Sequence, residues 1–218
     1  EPIQGRGGKV VPPDGFLAML RGWCDQHGAV LIFDEIYTGF NRTGKLFACE
    51  HEGVVPDLVC LGKAMSGGYP ISACVGKSSV MDAWPDSEGE ALHTSTFLGN
   101  PVGCAMALAS IREHTSPETV VKVAERGAVF AELLKNLSSP LIHEVRGRGL
   151  MLGVELKHSG GEPAAGCAGD ILTNMLSSGV IMLADGPHGN VLAFTPPFII
   201  SDDEMRFAVD TLQCALDR

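Results

Sequence analysis

Residues 29–40 read AVLIFDEIYTGF. Ala29 to Phe33 are apolar, and Asp34 and Glu35 follow at once. An apolar run this short, bounded by polar residues, reads as a buried strand. Closing it on two carboxylates is costly unless donors or a cation meet them at the strand end. The stretch therefore poses two questions together: what layer buries the run, and what positive group waits where it stops.

Working outward, DGFLAMLRGWCDQH (14–27) has apolar residues at helical spacing, with Asp14 as the expected cap and Gly28 as the stop. TGFNRTG (38–44) reads as a turn. PDLVCLGK (56–63) and YPISACVGK (69–77) read as two further short strands, and residues 100–114 as a helix rich in small side chains. Strands alternating with loops and helices predict an α/β layer, in which ligands gather at the carboxyl ends of the strands. Asp34 and Lys63 both fall at such ends. Beyond Pro117 the pattern changes to an α+β unit. It comprises a charged helix over 118–136, a glycine-hinged strand pair over 143–156, a helix over 167–178, strands at 180–183 and 191–194, and a last helix from Asp202. The expected division is 1–116 and 117–218.

Composition narrows the function classes. The 218 residues are 45% hydrophobic and 19% charged, an ordinary globular balance. A net charge of -10 argues against nucleic-acid partners and against anionic membrane surfaces. No apolar run approaches the roughly 20 residues of a membrane span. The seven cysteines are scattered without a C-x-x-C pair and read as small buried hydrophobes of a reducing cytoplasm. The seven histidines show no ligand spacing, so no metal site is expected. EPIQGRGG opens abruptly at Glu1, and the chain is expected to be a piece of a longer protein.

Three readings compete for the strand-end acids. They can be structural, capping the next turn or lying solvated at the rim. They can be the metal-binding strand of a P-loop ATPase, which requires G-x-x-x-x-G-K-[ST]. The two G-K pairs fail that test. Gly62-Lys63 has Asp57 at the first glycine position and Ala64 after the lysine, and Gly76-Lys77 has Ile71 at the first glycine position. Or the acids can serve a cofactor through Lys63, which sits between glycines in LGKAMSGGYP. A lysine amine condenses with an aldehyde. Pyridoxal phosphate needs such a lysine, a carboxylate for its pyridine nitrogen and donors for its phosphate. Lys63 and Asp34 fit the first two needs, and a pyridinium facing Asp34 offsets the cost of desolvating it.

Taken together, LIFDEIYTGFNRTGKLFACE, PDLVCLGKAMSGGYPISA and HTSTFLGNPVGCAMALASI resemble the core signatures of the class III aminotransferases, pyridoxal-phosphate enzymes of fold type I. EPIQGRGG and NVLAFTPPFIIS resemble further family segments, so the likeness covers essentially the whole chain in the family's order. The resemblance implies an α/β fold of the fold type I transferase kind. Residues 1–116 are then the C-terminal part of the cofactor-binding large domain, with its mixed, mostly parallel sheet, and 117–218 the small domain. It also implies residue roles. Lys63 holds the cofactor aldehyde and moves the substrate proton, Asp34 holds the pyridinium, and Ile36 packs on a ring face. Ser95 and Thr96 bind phosphate, the threonine across a homodimer boundary. Arg42 is a weaker candidate for structural or substrate contacts. The implied substrates are an amino donor and a keto-acid acceptor, in a cytoplasmic homodimer.

The chain departs from the family pattern in four places. Tyr37 stands where Gln or His usually bonds the ring hydroxyl, and its phenol is the expected replacement. Ala193 stands where many members carry the arginine that clamps a substrate carboxylate. Arg6 stands where an acid often pairs with that arginine, so both ends of a familiar ion pair are changed. Either Arg6 supplies the carboxylate contact, or the substrate lacks that carboxylate, or Arg6 faces solvent. Finally, neither a phosphate cup at a helix start nor a second ring stacker is recognisable in these residues, which alone are expected to bind the cofactor weakly. Decarboxylase, aminomutase and epimerase readings within the family stay open, as does an inactive fragment acting through its dimer surface.

Overall fold

The computed structural model describes residues 1–89 and 97–218. The chain forms two compact units. One comprises residues 1–2, 12–41 and 45–119, the other residues 3–11, 42–44 and 120–218.

In the first unit, helix α1 (Phe16–His27) precedes strands β1 (Ile32–Asp34), β2 (Leu58–Leu61) and β3 (Ala73–Gly76), then α2 (Ser78–Met81) and α3 (Pro101–His114). The sheet order is β1-β2-β3. β1 and β2 are parallel, with Asp34 opposite Cys60. β3 runs antiparallel to β2, with Cys74 opposite Cys60 and Ala73 opposite Leu61. Leu17, Cys24, Leu31, Phe33, Cys49 and Val54 form one apolar cluster. Phe40, Leu61, Met65 and Ala107 form a second, under the loops that follow the strands.

Asp14 does not cap α1 as its sequence predicts. Gly15 occupies the cap position at φ 84°, with no side-chain cap bond. The first amides of the helix turn elsewhere: Leu17 N and Ala18 N both donate to Glu52 Oε2, each at 3.1 Å. A carboxylate remote in sequence thus fills the role that a local side chain usually fills. At the other end Gly28 closes the helix in the left-handed region at φ 62°, where glycine carries no steric penalty.

Asp57 fastens this layer. Its carboxylate accepts from Leu31 N at 2.8 Å, Arg21 at 2.7 Å and Lys77 at 2.7 Å. One side chain therefore joins α1, the approach to β1 and the exit from β3. The Lys77 ammonium, the Leu31 amide and the Arg21 guanidinium, in that order, hold the Asp57 carboxyl well below the usual carboxylate range.

The second unit contains most of α4 (Pro117–Lys135), with β4 (Ile142–Arg148), β5 (Met151–Leu156), α5 (Ala165–Ser177), β6 (Leu183–Asp185), β7 (Val191–Phe194) and α6 (Asp202–Leu216). Its sheet has the order β4-β5-β7-β6, antiparallel throughout. The helices cover one face, burying Val123, Phe130, Leu134, Ile171, Met175, Met205 and Leu212 against Leu152, Val154 and Leu192. α6 starts as its sequence suggests: Ser201 and Glu204 cap one another's amides reciprocally.

The strand predicted at 180–183 begins instead at Leu183. Val180 N is already committed to Met175 O at 2.9 Å, closing the end of α5, and so cannot join the ladder. The helix α4 and the β4–β5 turn pack backbone to backbone. A Cβ on Gly127 would stand 2.4 Å from the carbonyl carbon of Gly149.

Two outcomes follow from this packing. Gly127→Ala should lower the stability of the second unit by about 1–3 kcal/mol, read by denaturant unfolding, because rigid backbone must shift. For Asp57, the folded state holds the carboxyl below its ordinary value of 3.8, so its stabilisation is present above that value and lost as pH falls through the folded one. Wild-type stability should therefore decline below about pH 4. Asp57→Asn should be less stable at neutral pH and should show a shallower acid decline.

Candidate functional site

Strand alternation sends Asp34 and Glu35 to opposite sides of the sheet. Asp34 is exposed at the carboxyl end of β1, and its Oδ1 accepts from Ile36 N at 2.9 Å. That bond orients the carboxylate while leaving it open to a further partner. Lys63 follows the adjacent parallel strand β2 and opens a short 3-10 turn, Lys63–Met65. Aspartate and lysine thus stand at the carboxyl ends of neighbouring parallel strands, where an α/β sheet presents ligand-binding groups.

Lys63 adopts φ 44°, in the left-handed region. For a side chain bearing a Cβ this costs on the order of 1 kcal/mol or more and persists only where surroundings impose it. The surroundings are visible. Met65 N donates to Gly62 O at 3.0 Å, and Ser110 Oγ on α3 donates to Ala64 O at 2.7 Å. The Ser66 hydroxyl donates to Tyr69 O. Gly103 on α3 admits the Tyr69 ring, which a Cβ there would meet at 2.7 Å. Ile36, half-buried, packs over Gly62, so the residue following Asp34 and Glu35 touches the lysine turn directly.

The Lys63 amine is exposed and lies 5.0 Å from the centre of the Tyr37 ring. A ring face attracts the ammonium without neutralising it. Among the described residues no carboxylate pairs with Lys63. Tyr37 therefore enters this site through its ring face as a neighbour of the lysine.

Glu35 has a separate task. It is fully buried, and its carboxylate accepts from the Thr38 hydroxyl, from Ala48 N at 3.0 Å and from Cys49 N at 2.8 Å. It thereby caps the 3-10 turn Ala48–His51 from 13 residues away. The nearby Cys49 thiol is pushed up to about 12, chiefly by burial and then by the Glu35 charge.

The other predicted residues fall as follows. Ser95 and Thr96 lie outside the described residues. Arg42 belongs to the second unit, where it donates to Leu150 O at 3.0 Å and Pro196 O at 2.7 Å and stacks over Phe198. Those contacts are structural. Arg6, also in the second unit, pairs with Asp185 Oδ1 at 2.7 Å while its side chain stays 73% exposed. Lys9 reaches the other oxygen of Asp185 at 2.6 Å from a fully buried position. Asp185 thus meets two cations, and neither it nor Lys9 was singled out from sequence. Ala193, on β7, stands opposite Leu183.

An exposed carboxylate with one backbone donor and an exposed amine with no carboxylate partner among the described residues, joined through Ile36 and Gly62, suit a ring cation and an aldehyde respectively. The donor set fits pyridoxal phosphate at the two positions that can be described.

The chain belongs to the class III aminotransferase family, whose model matches residues 1–216. That family is pyridoxal-phosphate-dependent. The chain is 41% identical to the 4-aminobutyrate aminotransferase of Mycobacterium leprae (strain TN), over 97% of this chain and 47% of the relative. It is 42% identical to the acetylornithine aminotransferase of Corynebacterium efficiens, over 99% of this chain and 50% of the relative. A pyridoxal-phosphate-bound amine transaminase from an uncultivated Pseudomonas species matches the fold with a TM-score of 0.89 at 34% identity, covering 100% of this chain and 51% of that one. The expected α/β transferase fold is therefore present. The chain spans about half the length of the curated relatives it matches.

Replacing Glu35 by Gln puts an amide where two backbone donors need an acceptor. The variant should lose about 1–3 kcal/mol in denaturant unfolding. The Cys49 thiol should ionise at lower pH than in the wild type, read by thiolate absorbance, because the neighbouring charge is gone.

Proposed function

We propose that the protein carrying this chain is an aminotransferase. It moves an amino group from an amine or amino-acid donor to a keto acid with pyridoxal phosphate as carrier. One observation carries the reading: an exposed, strained Lys63 and an exposed Asp34 end neighbouring parallel strands in a chain of the class III family.

When bound, pyridoxal phosphate supplies an aldehyde for amines and a protonated pyridine ring that draws electron density from a substrate carbon. Asp34 would hold the pyridine nitrogen and its proton. Ile36 would bear on a ring face. Lys63 would hold the aldehyde through its amine, and the same amine would move the proton at the donor carbon. Its left-handed backbone and the Tyr37 ring fix the direction from which the amine works. Ser95 and Thr96 are assigned to phosphate, the threonine across the boundary of a homodimer. Arg6, steadied by Asp185, is the carboxylate-binding candidate, and Arg42 is assigned a structural role. Relatives named for 4-aminobutyrate and acetylornithine support a donor that carries a carboxylate as well as the reacting amine.

The net charge of -10 supports an enzyme without nucleic-acid or membrane partners. No helix of the described residues is long and apolar enough to cross a membrane. The localisation we assign is cytoplasmic.

In the whole protein, Lys63→Ala should lower turnover by about 10²–10⁴-fold, the usual worth of a positioned proton-transfer group. Asp34→Asn should lower turnover with the fold retained by circular dichroism. Arg6→Ala should raise KM for carboxylate-bearing donors while leaving simple amines unaffected. Product formation should require a keto acid. Turnover without one would assign the site to another pyridoxal-phosphate reaction.

A further inference from the structure

Lys9 and Asp185 are both buried inside the second unit. Whatever else the whole protein packs around this unit, side chains buried within it stay buried. Lys9 also adopts φ 57°, in the left-handed region, which a residue with a Cβ keeps only where its surroundings impose it. Gln4 N donates to Val10 O at 3.0 Å and Lys9 N to Gly5 O at 3.2 Å, closing residues 4–10 into a loop. Arg146 Nε on β4 donates to Gly8 O at 2.8 Å. Gly153 on β5 leaves room for the lysine stem: a Cβ there would stand 3.0 Å from Lys9 Cγ. Arg6 lies within the loop, its carbonyl accepting from Gly186 N at 2.9 Å, one residue beyond Asp185.

The two cations meet Asp185 differently. Lys9 Nζ donates a hydrogen bond to Oδ2 at 2.6 Å. Arg6 Nη1 stands 2.7 Å from Oδ1, yet that buried oxygen accepts no aligned hydrogen bond among the described residues. Asp185 thus holds Arg6 by charge and leaves the guanidinium donors uncommitted to it. One carboxylate facing two cations also leaves the cluster with one positive charge in excess. Without Lys9, Asp185 would be a buried anion with Arg6 as its counter-ion, and that pair would be neutral. With Lys9 in place, the Arg6 charge remains for a second anion, and the planar fork of a guanidinium suits a carboxylate.

We propose that Lys9 is a positioning residue for the carboxylate of the donor. It compensates Asp185 from the interior, so the aspartate steers Arg6 without neutralising it. Arg6 then gives its charge and its donors to a substrate that carries a carboxylate as well as the reacting amine. Lys9 itself touches neither substrate nor cofactor and acts through Asp185. The inference rests on the assignment of Arg6 to the substrate carboxylate.

The test is steady-state kinetics of the whole, cofactor-loaded protein with 4-aminobutyrate and butylamine as donors, one with a carboxylate and one without. Lys9→Gln keeps a donor beside Asp185 and removes only the charge. It should raise KM for 4-aminobutyrate about fivefold or more, with kcat and the butylamine KM within about twofold of wild type. Lys9→Met combined with Asp185→Asn removes both buried charges, so no anion competes for Arg6. The double variant should return the 4-aminobutyrate KM to within about threefold of wild type, and it decides the matter if the single variant does not fold. Lys9→Gln that leaves this KM unchanged while Arg6→Ala raises it overturns the inference alone. So does a rise shared equally by both donors, or a double variant as impaired as Arg6→Ala. Arg6→Ala without effect on 4-aminobutyrate overturns the assignment of Arg6, and this inference with it.

Discussion

A buried carboxylate organises the first unit. Glu35 lies in the interior with three donors on its two oxygens, and removing any of them would leave charge uncompensated in a medium that solvates it poorly. That requirement ties the end of β1 to the turn at 48–51, across the whole intervening loop. Asp34 can face outward in a fixed direction because its neighbour is anchored inward. The two acids are adjacent in sequence but opposite in placement: one is satisfied by buried donors, and the other is exposed at the strand end with a single backbone donor among the described residues.

The lysine turn obeys the same logic from the other strand. Its strained residue is held by a serine from α3, by backbone bonds within the turn, and by an isoleucine from the Asp34 strand end. None of these supports touches the amine. The geometry is fixed at the backbone, and among the described residues it leaves the nitrogen without a carboxylate partner.

Much of this was legible in the sequence. The alternation of apolar runs and turns located β1, β2 and most helices, because short apolar runs bounded by turn residues leave a hydrophobic signature. Asp34 and Lys63 stood out because each ended such a run. What stayed hidden depended on partners remote along the chain. Glu52 could not be recognised as the cap of α1, nor Ser110 as the support of the lysine turn, since neither has a local pattern. The pairing of Cys60 with Cys74 needed the strand register, and the pairing of Arg6 and Lys9 with Asp185 needed the closure of the second unit. The start of β6 shifted because the end of α5 had already claimed Val180.

The cap of α1 has a consequence for how this unit assembles. Its first-turn amides find their acceptor 35 residues later, beyond β1 and the Glu35-bound turn. A 12-residue helix with no cap of its own is marginal in water. α1 is therefore a follower in folding: it becomes stable only once the loop bearing Glu52 has returned, so its formation reports completion of the layer and does not nucleate it.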